Sequence, residues 1–254
     1  MRMSRRMGLN SIVRFKIPTF SGTYVLSGDE KKGQMILKTS GTLTLSKGVY
    51  DIFVVGGGAS GACAGIDQSE GGYTWGGGGG GSGCTTTKKT QSLAGGQYTV
   101  TIGAGGVARS GAGAHNAGGA TSIGSIASAD GGQSNAATLD GTYAYGSDGG
   151  SGGGAAGVGG SDGNNGNGSR AGRGQGTTTR AFAESSNTLY AGGGSSGMLN
   201  TSGLPGSDGG GGAGSTLNGN GGAGTTNTGS GGGGTVKNVS GAGSSGLVIV
   251  RWGY

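Results

Sequence analysis

Apolar and polar residues alternate over short stretches of the chain, and this alternation predicts β-strands. The clearest stretches are GQMILK (33–38), GTLTLS (41–46) and VYDIFVV (49–55), which are rich in β-branched residues. Turn-forming residues separate them, at Ser27-Gly28-Asp29 and at Lys47-Gly48. No window has the apolar spacing of an amphipathic helix. The pattern therefore predicts an all-β fold.

The remaining predicted strands are short and are mostly separated by glycine-rich sequence. They are Ser11–Ile17, Thr85–Ser92, Gln97–Ile102, Thr121–Ile126, Thr177–Phe182, Thr188–Tyr190, Thr235–Val239 and Gly246–Trp252. The last strand contains LVIVRW, an almost unbroken apolar stretch. Such a stretch is typical of a strand buried on both faces, so we expect it to be central in its sheet. A small β-sandwich is the predicted architecture.

Glycine-rich blocks lie between these strands. They cover residues 56–61, 76–83, 103–119, 146–168, 192–197 and 206–234. Ordering a glycine costs about 0.5–1 kcal/mol more than ordering an alanine, and these blocks have few side chains to offset that cost. Polyproline-II helices have three residues per turn and no internal hydrogen bonds, so their amides and carbonyls are free to bond sideways. We therefore predict that the blocks pack as polyglycine-II helices; flexible surface linkers are the alternative.

The composition supports an ordered chain of one domain. Glycine supplies 72 of the 254 residues, yet the glycines occur in blocks between good strand sequences. Collagen is excluded because the chain has no G-X-Y period and only two prolines. With 31% apolar residues, the chain can fill one modest core.

Positive charge is concentrated at the start of the chain. Residues 1–50 hold nine Lys and Arg against Asp29 and Glu30, a net charge of +7, whereas residues 51–254 have a net charge of −1. We expect residues 1–40 to form a basic N-terminal arm with the first strands, and residues 41–254 to form a glycine-rich β domain. A nucleic-acid-binding protein would instead spread basic residues along a stripe with aromatic residues between them, so no nucleic-acid partner is predicted.

No membrane span and no secretory signal are predicted. No stretch approaches the roughly 18 apolar residues that cross a bilayer. The start of the chain, MRMSRRMGLNS, is basic but lacks the apolar segment of a signal peptide.

One motif resembles the fingerprint of a flavin or nicotinamide site. Gly56, Gly58 and Gly61 fit G-x-G-x-x-G directly after a predicted strand. A dinucleotide site also needs a helix whose N-terminus holds the pyrophosphate. The following residues, GACAGIDQSEGGYTWGGGGGG, are too rich in glycine to form one. We therefore predict no cofactor and no enzymatic activity, with a flavin oxidoreductase as a distant alternative.

Other chemistry-bearing residues are few. His115 is the only histidine and lies in AGAHNAGG, where a solvated loop position is expected. The SDGNNGNG segment (161–168) lacks the terminal Glu of a calcium loop, so turn formation explains it better and no metal is predicted. Cys63 and Cys84 are the only cysteines, and the sequence leaves a disulfide between them open.

Four aromatic residues are candidates for a binding surface. Tyr73 and Trp75 interrupt one glycine tract, and Tyr143 and Tyr145 precede another. Aromatic faces suit both sugar rings and protein partners. The alternative is that these rings cover the edge of the packed glycine segments.

Several stretches together, in this order, resemble the glycine-rich domain of tail fibre and receptor-binding proteins of phages and prophages, chiefly those of Gram-positive hosts. They are GTLTLSKGVYDIFVVGGG (41–58), GGQYTVTIGAGG (95–106), GGATSIGS (118–125), GQGTTTRAF (174–182), TLYAGGG (188–194) and SSGLVIVRWGY (244–254). A sandwich with polyglycine is also similar to what some adhesins of Gram-negative phages carry. The chain departs from the family pattern at CAGIDQSEGGYTW (63–75), which interrupts the glycine tract usual there.

The resemblance implies a non-catalytic role at the tip of a virion tail, which is released by lysis and is then extracellular. The implied partners are a host cell-surface polysaccharide or protein and other tail or baseplate proteins, the latter through residues 1–40. The alternative is a purely structural glycine-rich component of the tail or virion that binds no receptor.

Overall fold

The fold is built from ten β-strands and one short 3-10 helix. The computed structural model describes residues 16–65, 76–134, 145–199 and 203–254. The strands are β1 (Thr19–Phe20), β2 (Tyr24–Gly28), β3 (Gly33–Leu37), β4 (Gly41–Leu45), β5 (Gly48–Val55), β6 (Thr85–Leu93), β7 (Gly96–Thr101), β8 (Thr121–Ile123), β9 (Ala127–Ala129) and β10 (Leu247–Trp252). The 3-10 helix covers Ala181–Ala183. The prediction of an all-β fold is confirmed.

The strands form two antiparallel five-stranded sheets. Sheet A has the order β1-β4-β7-β8-β9, and sheet B has the order β2-β3-β10-β5-β6. The last strand, β10, lies in the middle of sheet B and all six of its residues are buried, as its almost unbroken apolar sequence predicts. Because β1 pairs with β4 and β3 pairs with β10, residues 19–37 contribute to both sheets.

The main hydrophobic core lies between the inner faces of the two sheets. Sheet B contributes alternate residues such as Met35, Ile52 and Val250, and sheet A contributes Leu43 and Val100. This alternation follows from the pleat, which points successive side chains to opposite faces.

A second apolar cluster covers the outer face of sheet B. Phe53 and Ile249 pack there against Phe182 and Tyr190, which lie in the chain between two glycine segments. The middle of sheet B is therefore buried on both faces.

Three predicted strands are wrong. Thr177–Phe182 ends in the 3-10 helix, Thr188–Tyr190 forms only an isolated bridge between Leu189 and Arg180, and Thr235–Val239 contributes only isolated bridges. The Thr179 hydroxyl donates to the Tyr190 carbonyl, so this segment folds back on itself instead of joining a sheet. The predicted strand Ser11–Ile17 lies outside the described residues except for Lys16 and Ile17, which are not in a strand.

The glycine blocks are packed against one another. We call the packed segments the glycine lattice; they cover residues 56–64, 76–84, 103–119, 146–176, 191–197, 203–215, 221–235 and 241–246. Most of their hydrogen bonds join the backbone of one segment to the backbone of another. These segments are therefore ordered, and the alternative of flexible linkers is wrong for them.

The hydrogen bonds in the lattice repeat every third residue. The amides of Gly56, Ala59 and Ala62 donate to the carbonyls of residues 84, 81 and 78 at 2.8–3.0 Å. The next residues in each triplet, 57, 60 and 63, donate to residues 119, 116 and 113. Residues 58 and 61 donate to residues 244 and 241. Successive amides thus turn to three different neighbours before the pattern repeats.

The segment 56–64 also accepts hydrogen bonds from three further stretches. Gly106 donates to the Gly58 carbonyl, Gly132 to Gly57, and Gly232 to Ala59. Segment 56–64 is therefore surrounded on all sides by backbone. Glycine is required at position 58, because a Cβ on Gly58 would overlap the carbonyl oxygen of Ser230.

Candidate binding surface

The glycine lattice has two ends. Its segments join the strands at one end, directly at Val55–Gly56, Cys84–Thr85 and Gly246–Leu247, and at Gly103, which follows the end of β7 after one intervening residue. We call this the sandwich end. Along segment 56–64 the bonded neighbours run from residue 84 back to 78 and from residue 119 back to 113, so the opposite end lies near Cys63 and Ala64. We call that end the tip.

Turns of the chain are gathered at the tip. Cys63 forms bridges with Gly113 and Thr235, and Ser110 forms a bridge with Val239. The Asn238 side-chain amide donates to the Asn218 carbonyl at 2.7 Å, which joins two of these turns. The turns over residues 107–113, 216–220 and 236–239 therefore contact one another and form one surface.

Two valines are exposed on this surface. The exposed fraction is 73% for Val107 and 39% for Val239. Lys237, beside Val239, is also exposed. The tip turns thus offer small apolar groups beside a positive charge, a surface able to contact another molecule. Sequence reasoning missed these residues, because single valines in a loop carry no pattern.

Three of the four candidate aromatic residues, Tyr73, Trp75 and Tyr143, lie outside the described residues. Gly65 and Gly76, which flank the first pair, both lie at the tip. The Gly65 amide donates to the Val236 carbonyl at 2.7 Å, and the Gly76 amide donates to the Gly197 carbonyl at 2.9 Å.

Tyr145 is the candidate aromatic residue that the structure describes. It is half-buried, and the Arg170 guanidinium carbon lies 4.9 Å from the centre of its ring. A Cβ on Gly78 would overlap the Tyr145 carbonyl oxygen, which places Tyr145 in the part of the lattice next to the tip. Its cation–π contact fits the alternative reading that this ring covers the lattice edge.

Buried serines are a second feature that sequence reasoning missed. The Ser82 hydroxyl accepts from the Ser151 amide at 2.7 Å, and the Ser60 hydroxyl accepts from the Asn116 amide at 2.9 Å. Both serines are completely buried. These hydroxyls bond lattice amides in place of a neighbouring carbonyl. In the sequence they look like ordinary Gly/Ser linker residues.

The shortest ion pairs among the described residues lie away from the tip. In β10, Arg251 donates to Asp51 and to Glu184, and Lys89 of β6 also reaches Glu184 at 3.0 Å. These hydrogen bonds lower the pKa of Glu184 from its usual 4.5 to about 2. Arg251 is buried, so this cluster fixes the chain against sheet B and is structural.

The dinucleotide fingerprint has no dinucleotide site around it. Residues 56–63 are all buried, and the amides of Gly58 and Gly61 donate to Ser244 and Gly241. The residues that follow Gly61, up to Gly65, continue the lattice rather than beginning a helix. The backbone amides that would hold a pyrophosphate are thus bonded to other lattice segments. Hence the alternative of a flavin oxidoreductase has no structural support at this motif.

The expectation of a solvated His115 is wrong. Its exposed fraction is 2%, because the segments around it pack into the lattice. Its carbonyl also accepts from the Ser134 hydroxyl. The histidine is therefore a packed residue of the lattice.

Segment 161–168 forms turns rather than a calcium loop. Asp162 and Gly163 have positive φ values of 52° and 82°. The Asp162 carboxylate accepts from the Thr179 amide and lies 3.7 Å from Arg180. Within residues 16–65, 76–134, 145–199 and 203–254, no three His, Cys, Asp or Glu side chains are grouped to hold a metal ion.

Cys63 and Cys84 are both free thiols at opposite ends of the lattice. The Gly56 amide donates to Cys84, and Cys63 is seven residues farther along the same segment, a span of about 20 Å in extended chain. A disulfide needs Cα atoms within about 7 Å, so the two cannot pair within one chain. Burial raises the pKa of both thiols, which disfavours the reactive thiolate.

Residues 38–253 match the family of glycine-rich domains. No curated protein matches the sequence. Among the described residues, no helix has the length and apolar character needed to cross a membrane.

Proposed function

The chain belongs to the family of glycine-rich domains, and from that premise we propose that it is a non-catalytic phage tail fibre or tail tip protein that adheres to a host cell-surface component. The observation that carries the proposal is the arrangement of the lattice. Ordered glycine segments hold several turns together at one end, and the strands lie at the other. Such an arrangement suits a protein that presents a surface at the end of a rigid support.

We propose further that the lattice segments are polyglycine-II helices. A helix with three residues per turn points every third amide in the same direction, so each neighbour receives every third hydrogen bond. The bonds from residues 56, 59 and 62 to residues 84, 81 and 78 have this period. So do the bonds from residues 77, 80 and 83 to residues 235, 232 and 229.

The receptor is a polysaccharide or protein of the host envelope, and the tip is the surface that meets it. Tyr73, Trp75, Tyr143 and Tyr145 are the proposed contact residues. An aromatic ring stacks well on a sugar ring and is also a frequent anchor in protein interfaces. Gly65 and Gly76, which flank the stretch that contains Tyr73 and Trp75, lie at the tip, and Tyr145 lies beside it; these positions support the assignment.

The protein is part of the virion tail and is extracellular after lysis. The sandwich end faces other tail or baseplate proteins, and the contact with them is made through residues 1–40. Residues 19–37 lie in the two sheets, and five basic residues of the arm (Arg2, Arg5, Arg6, Arg14 and Lys16) precede them in the sequence, which supports this orientation.

Binding of labelled protein to bacterial envelopes tests the proposal. The purified full-length chain is applied to whole cells and to isolated cell walls from a panel of Gram-positive and Gram-negative strains. We expect saturable binding to a subset of strains. Binding to none of them, while electron microscopy of intact virions shows the protein within the tail shaft, favours the alternative of a structural component without a receptor.

Two variants test the contact residues. Changing Tyr73 and Trp75 together to Ala is expected to weaken attachment at least tenfold with a shift of the melting temperature of only a few degrees. Tyr254→Ala is the control, because Tyr254 is 61% exposed and lies at the other side of the molecule, near Lys32. Equal binding by the double variant and this control would contradict the assignment of the two aromatic residues.

A further inference from the structure

Strand β2 is an exposed edge strand of sheet B. All five of its residues are exposed, and three of them are large and apolar. The exposed fraction is 42% for Tyr24, 47% for Val25 and 39% for Leu26. Exposed apolar side chains on a free strand edge are typical of a surface that pairs with another strand.

The backbone of β2 alternates between bonds to β3 and groups that point outward. Thr23 and Asp29 are hydrogen-bonded to Lys38 and Lys32, which fixes the hydrogen-bonded pairs at odd-numbered positions of β2. Leu26 faces Met35 in the register, so the pair Leu26–Met35 is not hydrogen-bonded. The amide and carbonyl of Leu26 therefore point away from the sheet, as do those of Tyr24.

The opposite edge of the same sheet, strand β6, is protected against pairing with another chain. Strand β6 carries Lys88 and Lys89, and its register with β5 shifts between Tyr50 and Ile52. Lysines and bulges on an edge prevent pairing with another chain. Strand β2 carries neither, and no described residue pairs with its outer side.

We propose that β2 pairs with β2 of a second copy of this chain, antiparallel about a two-fold axis at Leu26. This pairing sets Leu26 opposite Leu26, in a pair that exchanges two backbone hydrogen bonds. The same register sets Tyr24 opposite Gly28, so that each tyrosine ring covers a glycine of the other copy. Val25 then faces Ser27 on the outer side of the sheet. Sheet B of one copy continues into sheet B of the other.

The strand's own sequence favours a second copy over an unrelated partner. A two-fold interface needs a patch that is complementary to itself, and the segment 24–28 meets this condition. The segment has no charged residue that would face a like charge in the second copy. The proposed register also sets its one aromatic residue, Tyr24, opposite its one glycine, Gly28, in the other copy. A five-residue strand buries less area than a standard interface, so we expect association that depends on concentration.

Mass measurement of the full chain tests the proposal. Sedimentation equilibrium over a hundredfold range of concentration should show a shift from 23.9 kDa towards twice that mass. Leu26→Pro removes the outward amide and leaves the bonds to β3 in place, so it should fold and remain monomeric. Leu26→Lys should also be monomeric, and it serves if the proline variant does not fold. Val49→Lys is the control, because Val49 is at least as exposed as Leu26 but lies in β5, and this variant should associate like the parent.

Cross-linking tests the register. In the proposed pairing the Cα atoms of the two Leu26 residues are about 5.5 Å apart, within reach of a disulfide. Leu26→Cys should therefore form a covalent dimer under mild oxidation, whereas Tyr24→Cys, more than about 14 Å from its equivalent, should not. A parent chain that stays at 23.9 kDa throughout, or a trimer, overturns the proposal. So does cross-linking of both cysteine variants to the same extent.

Discussion

The Arg251 guanidinium donates two hydrogen bonds to the Glu184 carboxylate, at 2.6 and 2.9 Å. It also lies 3.8 Å above the ring centre of Phe182. Arg251 belongs to the central strand of sheet B, and Glu184 follows the 3-10 helix that packs on the outer face of that sheet. These contacts attach a connection between two glycine segments to the sandwich.

The Glu184 contact predicts a loss of stability in acid. Its pKa is about 2 in the folded protein, below the usual 4.5, because Arg251 and Lys89 hydrogen-bond to the ionised form. A lowered folded-state pKa contributes stability that is present above pH 4.5 and is lost as the pH falls towards 2. Denaturant unfolding between pH 6 and pH 2 should show this loss, and Glu184→Gln should reduce it while lowering stability at pH 6.

Glu30→Gln is the control for that measurement. Glu30 is exposed in the turn between β2 and β3, so its replacement should leave the pH dependence of stability close to that of the parent. If Glu184→Gln and Glu30→Gln have the same acid profile, the ion pairs of Arg251 do not stabilise the folded protein.

The buried serines predict a cost for removing a hydroxyl. Ser82→Ala leaves the buried Ser151 amide without its acceptor, and the Ser82 hydroxyl is completely enclosed. An unpaired buried amide costs about 1–3 kcal/mol. For a domain of this size, 1 kcal/mol lowers the melting temperature by roughly 2–4 °C. Thermal melting should therefore show a fall of several degrees.

Ser92→Ala provides the comparison, since Ser92 is exposed on the edge strand β6. Its melting temperature should stay within about one degree of the parent, because surface substitutions seldom exceed 0.5 kcal/mol. Equal melting of the two alanine variants would mean that the Ser82 hydroxyl contributes nothing to the lattice.

The sequence predicts the strands whose two faces differ, and it misses those whose faces do not. Strand β3 reads as GQMIL, with Met35 and Leu37 towards the core, and the prediction is within one residue of the structure. Strand β2 escaped prediction because both of its faces are exposed, so burial imposes no alternation on YVLSG. Thr177–Phe182 has β-forming residues, yet bonds from Thr179 to Tyr190 override that preference.

For the glycine blocks, the sequence predicts that they are ordered but not which segments lie side by side. Ordering these glycines costs conformational entropy, and flexible linkers have no need to return repeatedly to good strand sequences. These two considerations are enough to predict ordered packing. Which segments become neighbours depends on the whole lattice, and Gly56 meets Cys84 and Gly229 meets Ser245 without any local signal. For the same reason the buried state of His115 and the meeting of Arg251 with Glu184 could not be predicted from their neighbours in sequence.

The glycine lattice itself is tested by adding a single methyl group. Gly232 is buried, its amide donates to the Ala59 carbonyl at 2.9 Å, and a Cβ there would overlap the Gly241 carbonyl oxygen. The Ala242 carbonyl oxygen would lie 2.7 Å from the same methyl group. Since backbone atoms cannot rotate away as side chains do, the segments must separate and several hydrogen bonds must lengthen together. Gly232→Ala should thus destabilise by at least the 1–3 kcal/mol typical of overpacking.

Gly219→Ala is the matched control, because it adds the same methyl group in a tip turn. A Cβ at Gly219 would meet only Ser215 Cβ and Thr216 Oγ1, at 3.3 Å, before any backbone atom. The φ of Gly219 is not positive, so alanine can adopt the same conformation. Alanine also leaves the unfolded chain less conformational freedom than glycine does, and this effect offsets part of the cost of any crowding in the folded state. Thermal melting should place Gly232→Ala several degrees below Gly219→Ala. If the two variants have the same melting temperature, the carbonyl oxygen of Gly241 does not lie close to Gly232. The close packing of segments 221–235 and 241–246 is then wrong.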